Sequence, residues 1–157
     1  MRNSIKTLVY MGAMHGFFTF YLPLQLASLD KPFADFGFFK YSAVPFWIIG
    51  AWVIIHCSVD IILRGGGTPA HLDPPRLLML NGWYRHVRNP IYLGAVVVQI
   101  GHILWFGSRA AVMYLLLYIV AFHILIIFIE EPMLKNTFGA AYEDYCRKVP
   151  RWIPRLR

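Results

Sequence analysis

Charged side chains are scarce in this sequence. Asp, Glu, Lys and Arg make up 15% of its 157 residues, against about a quarter in soluble domains. Cysteine is nearly absent, and its two residues exclude a scaffold held by several disulfides. The hydrophobic share of 58% excludes a disordered chain and exceeds the roughly 45–50% of soluble proteins. The remaining class is a small integral membrane protein, whose length fits one domain over residues 1–157.

The apolar residues concentrate in four runs, each close to the roughly 20 residues that cross a bilayer core of about 30 Å. The first run is too long for the apolar part of a signal peptide, so we expect it to be retained. It carries Gly12 and Gly16, a spacing typical of close helix packing. We therefore predict an all-α integral membrane protein with four transmembrane helices in two hairpins: 7–29, 42–63, 90–107 and 110–130.

The basic residues predict the orientation. Of the fifteen Lys and Arg, only Lys31, Lys40 and Arg109 lie on the side of the two short loops. The others lie near the termini and in loop 64–89, so the positive-inside rule places both termini in the cytoplasm. We expect a multi-pass protein of a bacterial inner membrane. The net charge of +7 then faces anionic lipids or an anionic ligand, and no nucleic-acid partner is expected.

The cytoplasmic tail, 131–157, has a helical pattern of its own. Apolar residues recur at spacings of three and four, which is typical of one stripe on a helix: Leu134, Phe138, Ala141, Tyr142, Tyr145 and Val149. A short amphipathic helix beside a membrane lies at the interface. We predict such a C-terminal interfacial helix, followed by an anchor formed by Trp152 with Arg151 and Arg155.

Two charged clusters flank the last hairpin. Arg85, His86 and Arg88 precede Pro90, which suits the first turn of a helix whose N-terminus attracts negative charge. Glu130 and Glu131 end the fourth run, where a helix C-terminus disfavours carboxylates without partners. An antiparallel hairpin would place these clusters side by side. Physical reasoning leaves two alternatives, a structural ion-pair lock and a binding site for a zwitterion.

Other polar groups fall within the spans. His56, Asp60 and Arg64 share one face of the second helix, either as an ion-pair network closing the helix end or as functional groups. His123 lies two turns before Glu130 and could line the same cavity. The six histidines show no ligand pattern, so we expect no metal site.

The order of motifs resembles a known family. Arg88-x-Pro90-x-Tyr92-x-Gly94, an apolar helix ending in Glu130-Glu131, and a tail with Phe138-Gly139 and Val149-Pro150-Arg151 are similar to the isoprenylcysteine carboxyl methyltransferases and the phospholipid methyltransferases. The resemblance covers about residues 65–154. Several relatives have His where this chain has Asn89, and relatives often have a fifth helix, which a dimer partner could replace here.

The resemblance implies an S-adenosylmethionine-dependent methyltransferase with its cofactor on the cytoplasmic side. The expected cofactor-binding residues are Arg85, His86, Arg88, Pro90, Tyr92, Gly94, Glu130 and Glu131, with Arg88 and Glu131 also catalytic. The expected acceptor is hydrophobic: an isoprenylcysteine-type carboxylate, a phospholipid amine or a thiol. The alternatives are an NADPH-dependent reductase of the steroid reductase type, in which Glu commonly replaces Ala95, and a non-enzymatic scaffold or small transporter.

Overall fold

The computed structural model describes residues 9, 12–65 and 77–155, and within these ranges the protein is helical, without a β-strand. Residues 66–76 of the predicted loop 64–89 therefore lie outside the described residues. We number five helices in chain order, some of which contain π-helical or 3-10 turns: α1 (Met14–Tyr21 continuing as Leu22–Leu29), α2 (Gly37–Gly65), α3 (Pro90–Phe106), α4 (Arg109–Phe138) and α5 (Ala140–Lys148).

Two of the helices are long and apolar enough to cross a membrane. They are α2, with 29 residues, and α4, with 30 residues, whereas α3 is an apolar helix of only 17 residues. The predicted all-helical class with membrane-crossing helices is thus supported, while the number of four spans stays a prediction. Helix α4 continues past residue 130 because a π-helical segment, Ile126–Glu130, leads directly into Glu131–Phe138 with Pro132 in its first turn.

Helices α2 and α3 form the closest pair in the bundle. Gly50 and Gly94 face each other, so that a Cβ atom built on Gly50 would lie 2.5 Å from the carbonyl oxygen of Gly94. The two backbones can approach this closely only because both residues lack a side chain. By contrast, a Cβ atom on Gly12 or Gly16 would meet nothing within 4 Å. The close packing predicted for that glycine pair is wrong for this chain, because α1 turns another face to the bundle.

The short connection between α3 and α4 is held by several polar contacts. Gly107 adopts a positive φ of 56°, and Ser108 caps α4 by accepting a hydrogen bond from the Ala111 amide. Asp30, at the end of α1, accepts hydrogen bonds from the Ser108 hydroxyl and the Ala110 amide, both at 2.9 Å. These bonds hold the pKa of the Asp30 carboxyl below its usual range. The hairpin predicted for the last two helices is therefore tied to the end of α1.

The tail packs against the residues that precede α3. After Gly139, with φ 53°, helix α5 packs its buried Tyr142 and Tyr145 against Leu134 of α4. The following residues pair with the segment before α3 through backbone hydrogen bonds from Arg88 N to Pro150 O (2.9 Å) and from Arg155 N to His86 O (3.0 Å). The apolar stripe thus faces the protein itself, and the interfacial location of α5 stays a prediction.

Candidate active site

One cavity lies where α2 and α4 end and α3 begins. Its walls come from all four bundle helices and from the tail, and they combine charged groups with apolar side chains. The charged and amide groups are Arg88, Asn89, Glu130 and Glu131; the apolar and aromatic side chains include Met14, Ile61, Met79, Tyr84, Ile91, Tyr92, Tyr118, Phe122, Ile126, Tyr142 and Tyr145. The cavity can therefore hold a ligand with both a charged and an apolar part.

Glu131 is the centre of an ion-pair network. Arg88 Nη1 donates to Glu131 Oε1 at 2.9 Å, and Arg151 donates through Nε to Oε1 (2.7 Å) and through Nη2 to Oε2 (2.9 Å). The side chains of Arg88 and Glu131 are only 12% and 19% exposed. Both oxygens of Glu131 accept hydrogen bonds from guanidinium groups. This carboxylate therefore holds the side chains of Arg88 and Arg151 in place.

Glu130 has a different environment. Its carboxylate accepts a hydrogen bond from the Tyr92 hydroxyl, and both residues line the cavity. The Tyr92 ring is stacked at a tilt against Phe122, with 4.9 Å between the ring centroids. Consecutive residues of a helix point about 100° apart, so the adjacent glutamates reach different partners. Glu130 is thus a carboxylate presented to the cavity beside a phenol.

The tail fixes the backbone that carries Arg88. The Arg88 amide donates to the carbonyl of Pro150, and Asn89 Nδ2 donates to the carbonyl of Arg151 at 3.2 Å. Arg88 Nη1 also lies 2.9 Å from Cys146 Sγ on α5. The guanidinium of Arg88 is therefore held from the tail side, while Pro90 starts α3 directly after it.

One hydrogen-bond donor of this network, on Arg88, lacks an acceptor among the described residues. Arg88 Nε is buried and has no hydrogen-bond partner among the residues that the structure describes. A buried donor in this state costs about 1–3 kcal/mol, and more when it belongs to a charged group. Since Arg88 lines the cavity, an anionic ligand group could supply the missing acceptor.

The structure places the other predicted residues as follows. Pro90 lines the cavity, whereas Arg85 is exposed and lies outside its lining. His86 Nδ1 lies 2.8 Å from the carbonyl oxygen of Arg155, and Gly94 faces α2; neither lines the cavity. A cofactor contact of Arg85, His86 or Gly94 stays a prediction.

Sequence reasoning did not find Arg151, Cys146 and the tyrosines as parts of the site. Arg151 was expected at the membrane surface, yet it binds Glu131. The Tyr145 hydroxyl donates to the Tyr84 carbonyl at 2.7 Å, and burial raises the pKa of both phenols, so they remain hydrogen-bond donors. The spacing of Tyr142 and Tyr145 indicated a helix face, and nothing in it distinguished a cavity wall from an interfacial stripe.

The remaining polar residues form separate contacts. Asp60 lies 3.6 Å from both His56 Nδ1 and Arg64 Nε, as the shared helix face predicted, and this trio does not line the cavity. His123 Nδ1 accepts a hydrogen bond from Trp152 Nε1 at 3.1 Å and likewise lies outside the lining. Trp152 therefore fastens the tail to α4. Across residues 12–65 and 77–155 no group of three His, Cys, Asp or Glu side chains is placed to hold a metal ion.

Comparisons with known proteins agree with the motif order. The profile of the phospholipid methyltransferase family matches residues 68–141. The chain is 27% identical over 126 residues to the protein-S-isoprenylcysteine O-methyltransferase of Schizosaccharomyces pombe, covering 77% of this chain and 52% of that protein. It thus spans about half the length of this relative. No solved structure matches the chain.

Two reductases also share a segment with it. The Delta(14)-sterol reductase LBR of Gallus gallus is 33% identical over 76 residues, or 46% of this chain and 12% of that protein. The Delta(14)-sterol reductase TM7SF2 of Mus musculus is 32% identical over 83 residues, or 50% of this chain and 19% of that protein. The family match and the longer alignment confirm the predicted resemblance of the chain to the phospholipid and isoprenylcysteine methyltransferases.

Proposed function

We propose that the protein is an S-adenosylmethionine-dependent methyltransferase acting on a hydrophobic acceptor. The observation that carries the proposal is the pairing, in one cavity, of a buried arginine with an unsatisfied Nε and a carboxylate that is bonded to a tyrosine. S-adenosylmethionine carries a carboxylate, an ammonium group, ribose hydroxyls and a purine, so it needs donors, acceptors and apolar walls together. The described residues of the cavity offer all three.

The roles follow from the contacts. Arg88 Nε is assigned to the cofactor carboxylate, because a charge-assisted bond would satisfy this buried donor. Glu130 and Tyr92 are assigned to the ammonium or the ribose hydroxyls. Glu131 is a positioning residue, since its oxygens are engaged by Arg88 and Arg151. The rings of Tyr84 and Tyr142 flank the space where a purine would lie.

When bound, the cofactor supplies a methyl group activated by its sulfonium. The chain's own contribution is to hold that group and the acceptor in line at about 3–3.5 Å and to exclude water from them. The apolar side chains of the cavity, such as Met14 and Ile61, would receive the hydrophobic body of the acceptor. The group accepting the methyl could be a carboxylate, an amine or a thiol.

Cofactor binding tests this function. The protein purified in detergent should bind S-adenosylmethionine and S-adenosylhomocysteine saturably in calorimetry, and should not bind NADPH. Binding of NADPH alone would support the reductase suggested by the sterol reductase segments. Absence of saturable binding of either cofactor in several detergents would leave a scaffold or transporter and overturn the proposal.

The binding residues are tested with matched variants. Glu130→Gln and Arg88→Lys should each weaken S-adenosylmethionine binding by about 10- to 100-fold, the value of one or two charge-assisted hydrogen bonds. Asp144→Asn is the control, because Asp144 is a surface carboxylate that pairs only with Arg147 and Lys148 in the described contacts. Equal affinity of Glu130→Gln and the control would exclude Glu130 from the cofactor site.

A further inference from the structure

Helix α1 contributes an ionisable side chain that the assignments above leave without a role. His15 lines the cavity together with Met14. It lies in the π-helical segment Met14–Tyr21, and such segments are rare and frequently occur at functional sites. Ionisable residues within membrane helices are costly and usually serve a function. His15 also lies outside residues 68–141, so the family match assigns it nothing.

The ring of His15 is oriented by a buried partner. Its Nδ1 atom lies 3.1 Å from the hydroxyl oxygen of Thr19, one turn later on the same helix, and Thr19 is fully buried. In the tautomer that donates from Nδ1 to this oxygen, Nε2 is the basic nitrogen. A neutral imidazole held in this way is a proton acceptor whose position is fixed by α1.

His15 differs chemically from the other residues that line the cavity. The charged groups Arg88, Glu130 and Glu131 belong to α3, α4 and their network with the tail. Most of the other lining residues are apolar or phenolic, among them Ile61 and Tyr118. Among the described residues that line the cavity, His15 is the one imidazole, and a neutral imidazole can accept a proton at its free ring nitrogen.

We propose that His15 is the general base of the methyl transfer, taking the proton of an acceptor that carries an N–H or S–H group. The proposal rests on the proposed function. The acceptor heteroatom forms a bond to the methyl carbon, and the bond from that carbon to the sulfonium sulfur breaks. Its electron pair stays on sulfur, which becomes a neutral thioether. The proton released by the acceptor moves to Nε2 of His15 and from there to solvent.

This role narrows the class of acceptor. A carboxylate acceptor is already deprotonated and needs no base, whereas an ammonium or a thiol must lose a proton to be methylated. A base placed among apolar walls fits a neutral amine or thiol at the head of a hydrophobic molecule, and an anionic carboxylate would be poorly solvated there. The site is therefore assigned to proton-bearing acceptors on a hydrophobic body.

The test compares acceptors on the full-length protein in lipid nanodiscs. Methyl transfer is measured with phosphatidylethanolamine, octanethiol and N-acetyl-S-farnesylcysteine, and S-adenosylmethionine binding is measured separately by calorimetry. His15→Gln should lower the turnover of the amine or thiol probe by about 100-fold or more and leave cofactor affinity unchanged. His56→Gln, a half-exposed histidine of α2 outside the cavity, is the control. His15→Ala should regain turnover when imidazole is added.

Each other result has a distinct meaning. Full turnover of the amine or thiol by His15→Gln overturns the role of His15 while leaving the methyltransferase function intact. Equal slowing of all three acceptors, or loss of cofactor binding in His15→Gln, also overturns it, because such results indicate a structural role. Wild-type protein that binds no S-adenosylmethionine overturns the proposed function itself and the role of His15 with it.

Discussion

Two adjacent glutamates at the end of the membrane helix perform different tasks. Glu131 binds Arg88 and Arg151, whereas Glu130 binds Tyr92 in the cavity wall. The difference arises because consecutive residues of a helix point about 100° apart and so meet different neighbours. The Glu131 carboxylate, with two guanidinium partners, stabilises the fold, whereas the Glu130 carboxylate, beside a phenol in the cavity wall, is suited to bind a ligand.

Replacing the two glutamates should separate stability from binding. Glu131→Gln leaves Arg88 and Arg151 without a counter-charge in a partly buried site, and we expect a loss of more than about 1 kcal/mol, below the 3–5 kcal/mol of fully buried pairs. Glu130→Gln should keep the melting temperature and lose cofactor affinity. Near-UV circular dichroism melts in detergent, with Asp144→Asn as reference, measure the first effect. Identical melting curves for both variants would show that the ion pairs of Glu131 do not stabilise the fold.

At the scale of helices, the contact between α2 and α3 is set by glycine. The carbonyl of Gly94 occupies the place where a side chain of Gly50 would lie. The carbonyl of Gly50 likewise occupies the place where a side chain of Gly94 would lie. This contact fixes the position of α3 along α2, and with it the position of Arg88 just before the start of α3. Packing between residues that do not line the cavity therefore helps to position its charged groups.

A pair of alanine variants tests that contact. In Gly50→Ala the new methyl group would lie 2.5 Å from the Gly94 oxygen, so the helices must move apart, and we expect a destabilisation of about 1–3 kcal/mol. Gly16→Ala adds its methyl group in open space, and its stability should be unchanged or slightly higher. Thermal melts of both proteins in one detergent give the comparison. The reverse order would mean that α1 packs through its glycine pair.

The tail is the other element that shapes the site. It is fastened at three places, by Arg151 to Glu131, by Trp152 to His123, and by backbone bonds to the segment before α3. None of these contacts requires a membrane surface. They hold residues 149–155 against the segment that carries Arg88, whose side chain lines the cavity.

Removing one fastening should loosen the tail. In Arg151→Ala the two bonds to Glu131 are lost, and we expect faster amide hydrogen exchange over residues 149–155 and weaker cofactor binding. Arg147→Ala, which removes an exposed arginine paired with Asp144, serves as the control. Exchange is followed by mass spectrometry. Unaltered exchange in Arg151→Ala would show that the remaining contacts alone hold the tail.

At the scale of the whole molecule, the charge distribution predicts an orientation. Lys31 lies beyond α1 on the side with few basic residues, and Lys148 lies in the strongly basic tail. Single cysteines placed at these exposed positions, in a chain with Cys57 and Cys146 replaced by Ser, should report opposite sides. We expect a membrane-impermeant thiol reagent to label Lys31→Cys in intact cells and Lys148→Cys only after lysis. The opposite pattern would invert the topology.

The chain spans about half of its isoprenylcysteine methyltransferase relative. The family profile matches the residues that carry the cavity's charged groups, whereas α1 and α2 lie outside residues 68–141. The proposed cofactor residues thus fall in the part of the chain that the profile matches. Met14, His15 and Ile61, proposed for the acceptor, lie outside that part.

The sequence by itself determined the membrane class, the helical content and the proximity of Arg88 to the paired glutamates. These follow from composition, run length and a short connection between two apolar helices, all of which are local properties of the chain. It also contains the order of motifs on which the resemblance to the methyltransferases rests.

Only the tertiary structure decided which glutamate binds the arginines and which binds Tyr92, that the partner of Arg151 is Glu131 and not the membrane surface, and that His15 joins the same site. Such facts depend on the rotation of one helix against another, and a π-helical turn changes that rotation without a pattern in the residues. They depend as well on contacts between segments far apart in the chain, such as α1 with α4 or the tail with α3. Periodicity cannot predict these contacts, because it describes which face of a helix is apolar and not which neighbour that face meets.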